Sequence, residues 1–219
     1  MGTITRSFAN NIGTSGILKA GAFNNASLNN VTALNAAVAT GNMVLISSQT
    51  ASNSASISFT TGIDSTYKEY QFWFVDIHCR TDSVKFEFNL STDSGSNYNV
   101  TKTSTWFNAY ADEGNSNVGL GYRTDSDLAQ STGYQQLNEA TNMSSDADHS
   151  LTGSMSLFNP ASTTYVKHFI ATVNHNHQAD YNINGFMAGY GNTTSAINAI
   201  NFRMSSGNMD GTILMYGIK

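Results

Sequence analysis

The stretch Tyr67-Lys-Glu-Tyr-Gln-Phe-Trp-Phe-Val-Asp-Ile-His78 decides how the rest of the chain is read. At a period of two, one face carries Tyr70, Phe72 and Phe74, and the other carries Gln71, Trp73, Val75 and Ile77. Successive strand side chains point to opposite faces, so a strand that is apolar on both must be covered on both. The run is rich in aromatic and β-branched residues and lacks Gly and Pro, which is strand composition. It reads as a central strand between a domain core and a second apolar surface, supplied by another layer of the same chain or by a neighbouring copy.

The flanking segments repeat this grammar. Ser83-Val-Lys-Phe-Glu-Phe-Asn-Leu90 sends Phe86, Phe88 and Leu90 one way and Lys85, Glu87 and Asn89 the other, the mark of a half-buried antiparallel strand. Further short strands, separated by turn signals, are expected at Met43–Ser48, Ala55–Thr60, Tyr98–Tyr110, Val118–Tyr122, Ser150–Phe158, Tyr165–Asn174, Ile183–Tyr190, Ala196–Met204 and Thr212–Ile218. Residues 111–148 are long, polar and irregular, a length that points to a functional or contact loop. The pattern predicts an all-β chain: an antiparallel β-sandwich, jelly-roll-like, of about eight to ten strands in two sheets of four or five.

Residues 1–42 differ from this body. They are rich in Asn, Ala, Gly and Thr, with apolar residues spaced along them: Ile4, Phe8, Ile12, Ile17, Phe23, Leu28, Val31, Leu34 and Val38. The last four recur every three or four positions, which predicts at most a short helix there, marginal on its own. Regular apolar anchors suit an extended N-terminal arm for docking or oligomerisation, followed by a β-sandwich domain over 43–219. A free tail is the plainer alternative.

Composition excludes several classes. Of 219 residues, 40% are hydrophobic, with 12 Phe and 10 Tyr, enough for a sizeable core. Only 11% are charged, against roughly 25% in an ordinary soluble protein. A net charge of -5 leaves no basic stripe for phosphates, so no nucleic-acid partner is expected. No apolar run approaches the ~20 residues of a membrane helix, so no membrane insertion is expected, and Met1-Gly-Thr-Ile-Thr-Arg-Ser lacks the pattern of a secretion signal. The single Cys79 excludes an internal disulfide framework.

Chemistry-bearing patterns are few. His175 and His177 lie at i and i+2 of a strand and can reach one metal from one face, although without a separated third ligand a polar hairpin end is the better reading. His78 and Cys79 are adjacent, so their side chains diverge and cannot act as a nucleophile pair. Asp125 and Asp127, and Asp146 and Asp148, lack the spacing of a calcium loop. No nucleophile elbow, phosphate loop or dinucleotide fingerprint occurs, and no enzyme activity or cofactor is expected. Trp106, Tyr110 and Tyr122, near the long loop, are candidates for stacking on a sugar, which makes a carbohydrate-binding module one alternative and a host surface glycan one candidate partner.

Three stretches carry a resemblance: Gly2-Thr-Ile-Thr-Arg-Ser-Phe-Ala-Asn-Asn-Ile12, Ile63-Asp-Ser-Thr-Tyr-Lys-Glu-Tyr70 and Met204-Ser-Ser-Gly-Asn-Met-Asp-Gly-Thr-Ile213. They resemble virion structural proteins of tailed phages, in particular phages infecting marine cyanobacteria. The resemblance implies a particle-associated protein, either a tail-fibre component or a capsid decoration protein, located in the virion with other virion proteins as partners. It supplies no binding residues. Symmetric self-assembly, as a homotrimer, would also cover the second face of the central strand.

Overall fold

A computed structural model describes residues 42–140 and 142–219. The expected anchoring positions Ile4, Phe8, Ile12, Ile17, Leu28, Val31, Leu34 and Val38, and the short helix, lie outside the described residues.

The described residues are all-β. Twelve strands follow in order: β1 (Met43–Ser54), β2 (Ser56–Phe59), β3 (Glu69–Cys79), β4 (Phe86–Ser91), β5 (Lys102–Asp112), β6 (Val118–Tyr122), β7 (Gln135–Gln136), β8 (Leu151–Phe158), β9 (Lys167–His177), β10 (Tyr181–Gly191), β11 (Ala199–Met204) and β12 (Met209–Ile218). They form an eight-stranded sheet, β1-β12-β3-β8-β9-β10-β5-β6, and a four-stranded sheet, β2-β11-β4-β7. The expectation of two sheets of four or five strands is therefore corrected. Every ladder is antiparallel.

The pairing is nested. β1 pairs β12, β2 pairs β11, β3 pairs β8 and β4 pairs β7, so the first strands of the chain meet the last ones and the inner ones meet each other. Consecutive members of this series alternate between the two sheets. Two hairpins interrupt the series: β5–β6 between β4 and β7, and β9–β10 between β8 and β11. All four of their strands join the larger sheet and widen it beyond β8.

The core lies between the sheets. Tyr70, Phe72 and Phe74 of β3 are buried, as their alternation requires, and Phe72 and Phe74 meet the smaller sheet through aromatic contacts. Phe72 and Phe74 each stand 5.4 Å from Phe202, Phe74 stands 5.3 Å from Phe86, and Phe88 of β4 stands 5.3 Å from Phe169 of β9. Such offset and edge-on pairs add ~0.5–1.5 kcal/mol each beyond area burial.

Two details of the strand pattern are corrected. Ile77, expected beside Trp73 and Val75, is fully buried, because Asp76 adopts φ 50° and an irregularity in the ladders to β8 and β12 shifts the alternation by one. β4 is buried on both faces instead of one. Its second face is covered by the chain after it: Asn89 Nδ2 donates to Tyr98 O at 2.6 Å and to Thr132 O at 3.0 Å, while Glu87 pairs with Arg203 at 2.9 Å.

Candidate functional site

The widened part of the large sheet creates a cleft on its inner side. In Val118-Gly-Leu-Gly-Tyr122 of β6, Val118, Leu120 and Tyr122 face outward, and only Gly119 and Gly121 face inward. The bare inner face leaves room for the Tyr110 ring of β5. A Cβ at Gly119 would stand 2.7 Å from the Tyr110 hydroxyl oxygen, closer than packing allows. Ile183 of β10 lies directly opposite Tyr110, and Tyr181 lies opposite His177 across the β9–β10 hairpin. The Tyr181 ring is 6.1 Å from Tyr110 and 5.6 Å from His177, edge-on to both.

The connection between β6 and β8 supplies the opposite wall. Arg123 is tethered by its backbone N–H to Trp106 O at 2.9 Å, and Gln135 and Gln136 donate their side-chain amides to Ser126 O at 2.9 Å and Asp125 O at 2.5 Å. Arg123 Nη2 stands 2.5 Å from Glu139 Oε1, and Asn108 Nδ2 donates to Glu139 Oε2. Burial raises the Glu139 carboxyl above its usual range, because the charged form has lost water, and the Arg123 charge opposes that rise. The Arg123 Nε is buried without a protein partner. Asn117 donates to the Tyr181 hydroxyl at 2.9 Å. Tyr110, Asn117, Arg123, Glu139, His177, Tyr181 and Ile183 line an open cleft of about 320 Å³.

The expected site residues separate. Tyr110 lines the cleft. Trp106 is fully buried, its ring lying against Gly185, so it belongs to the core and not to a sugar-contacting surface. Tyr122 lies on the opposite face of the sheet, its hydroxyl donating to Asp127 at 2.5 Å. His175 and His177 share the inner face of β9, as their spacing requires. His175 is buried, with Nε2 3.3 Å from Asn142 Oδ1, and burial pushes its pKa down to about 3. His177 Nδ1 accepts from the Ala179 N–H at 2.9 Å. Among the described residues no group of three or more His, Cys, Asp or Glu side chains is placed to hold a metal ion. Cys79 is buried with its thiol donating to Ser144 O at 3.1 Å, and desolvation pushes its pKa up to about 11.

Glu139, Arg123, Asn117 and Tyr181 were not singled out by sequence. They come from separate segments with no motif among them. The one local signal was the Gly/apolar alternation of β6, which marks a strand bare on one side.

The outer face of the large sheet is the second feature. One row of directly opposed residues crosses all eight strands: Ser48, Leu214, Trp73, Ser154, Thr172, Phe186, Phe107 and Tyr122. Phe107 and Phe186 stack at 5.0 Å, and Trp73 stands 5.7 Å from Tyr216. The outward positions of β5, β6, β8, β9 and β10 include no Asp, Glu, Lys or Arg. Trp73 is 41% exposed and Leu120 74% exposed. The second cover expected for the central strand is thus not supplied by the described residues.

Set against known families, known proteins and solved structures, the chain matches none of them.

Proposed function

We propose that this chain is a non-enzymatic structural subunit of a phage virion, a tail-fibre-type appendage gripped by its N-terminal arm and assembled with copies of itself as a trimer. The observation that carries this reading is the outer face of the large sheet. On five adjacent strands its outward positions carry no Asp, Glu, Lys or Arg, and Phe107, Leu120 and Ile170 stand exposed there among Ser, Thr and Asn; depletion of charge with aromatic residues present is the composition of an interface core. A second copy is the occupant that suits the face, since it offers no charge to a charged partner, and a like surface matches it. The resemblance of the chain's opening, central and closing stretches to virion proteins favours the same class. The nested ladders favour a jelly roll with two inserted hairpins, a rigid body suited to display.

The test is the mass of the full chain in solution, by light scattering during size-exclusion chromatography. Three times the 23.5 kDa of one chain is expected, and Phe107→Glu, which puts a charge in the stacked pair, is expected to yield a folded monomer. A wild-type chain that stays monomeric at tens of micromolar overturns the reading of the face.

A further inference from the structure

We propose that the cleft between the inner side of β5, β6, β9 and β10 and the Arg123–Glu139 connection binds a neutral sugar, as a terminal unit of a glycan. The inference does not depend on the assembly described above.

The lining dictates the class. Tyr110, Tyr181 and Ile183 offer apolar and aromatic surface of the kind that accepts the C–H face of a sugar ring. Between them stand polar groups with unused hydrogen-bonding capacity. Arg123 Nε is a buried donor without a partner. Because His177 Nδ1 accepts the Ala179 N–H, the neutral ring carries its proton on Nε2, a second donor. Glu139 has spare lone pairs on both oxygens, each of which accepts one protein donor, and Asn117 keeps its carbonyl oxygen after donating to Tyr181. Hydroxyl groups, which donate and accept at once, match such a mixed set. An anion does not, because the Arg123 charge is already met by Glu139 at 2.5 Å and a second negative group would face that carboxylate. A volume of about 320 Å³ lies at the small end of the ligand-pocket range, ~300–1,000 Å³, and suits one or two rings.

The geometry also places the site on the inserted hairpins and the long connection, outside the nested ladders that carry the core. Loops and insertions on a rigid frame are where binding residues concentrate. Of the aromatic residues that sequence spacing suggests for sugar contact, only Tyr110 takes part.

The experiment titrates the full chain with the methyl glycosides of glucose, galactose, mannose and N-acetylglucosamine, and with N-acetylneuraminic acid as the charged control, by saturation-transfer NMR and calorimetry. At least one neutral glycoside is expected to bind. Glu139→Gln and Tyr181→Ala are each expected to weaken it about tenfold, the loss of one to two hydrogen bonds or a ring contact. Tyr122→Ala, on the opposite face, is expected to leave it unchanged. Should either cleft variant fail to unfold cooperatively, Asn117→Ala and Tyr181→Phe, which remove only one polar contact, take its place. The proposal is overturned if no neutral glycoside binds, if only N-acetylneuraminic acid binds, or if folded cleft variants bind as the wild type does.

Discussion

His175 is a side chain whose neighbourhood fixes a pH response. It is buried on β9 with one ring nitrogen facing Asn142 and the other without a partner, and its neighbour on the same face is His177. Desolvation first, and the His177 charge second, push its pKa down to about 3 from 6.5. Below pH 6.5 the unfolded chain therefore takes up a proton that the folded chain refuses, so stability is lost as pH falls from 6.5 towards 3. Between pH 6.5 and 5 the loss amounts to about 2 kcal/mol, at ~1.36 kcal/mol per pKa unit. Urea unfolding of the wild type and His175→Leu at both pH values checks this. The variant is expected to lose that share of the slope, and an unchanged slope contradicts the assignment. Lys102 responds with the same sign at higher pH. Its ammonium group is buried against Asn89 Oδ1 and the Val100 carbonyl with no carboxylate among those partners, and burial lowers its pKa to about 7. Stability accordingly rises as pH climbs from about 7 towards 10.5. Neither burial was legible in sequence, since nothing in the local pattern of Lys102-Thr-Ser-Thr-Trp-Phe says that a lysine heads the inner face.

At the scale of elements, alternation was legible wherever one strand decides its own burial. Tyr70, Phe72 and Phe74 on β3 and the inward Phe169, Ala171 and Val173 on β9 follow it. Alternation misled where a neighbour intervenes: β4 is covered by a connection far along the chain, and β7 is two residues long, too short to carry any period. It also misled at the bulge of β3, whose cause is partly on β12. Gly211 there has φ 119°, and a Cβ would stand 2.5 Å from Asp76 O and 2.8 Å from Ile77 Cα. Both neighbours are held by the ladder, so neither can withdraw cheaply. Gly211→Ala is expected to destabilise the fold by at least ~1–3 kcal/mol, the cost of a side chain held in a region that favours glycine. Thermal and urea unfolding measure it. A variant as stable as the wild type means that the bulge relaxes and that the phase of Ile77 is not fixed from β12.

Across the whole molecule, the fold class was legible because turn signals and short apolar runs recur along the body, whereas the unequal sheets were not. Which sheet an inserted hairpin joins depends on long-range pairing, and β5–β6 and β9–β10 both join the larger one. That choice leaves β6 as an edge strand, paired on one side to β5 and open on the other, with Val118, Leu120 and Tyr122 exposed beside it. An open edge next to an uncharged face with exposed aromatic residues is the place where another chain most readily adds or stacks. If copies meet there, the free edge amides of Val118–Tyr122 and the amides of the flanking outer face lose access to solvent on assembly. Hydrogen exchange of the full chain at low and high concentration is expected to slow in β6 as oligomers form, while β3, enclosed between β12 and β8, exchanges slowly at both. Protection that grows instead at β1, the opposite edge of the same sheet, moves the contact to that edge. Oligomers that form with no change at either edge or on the outer face show that the sheets do not make the contact, and leave residues 1–41 as the segment to test next.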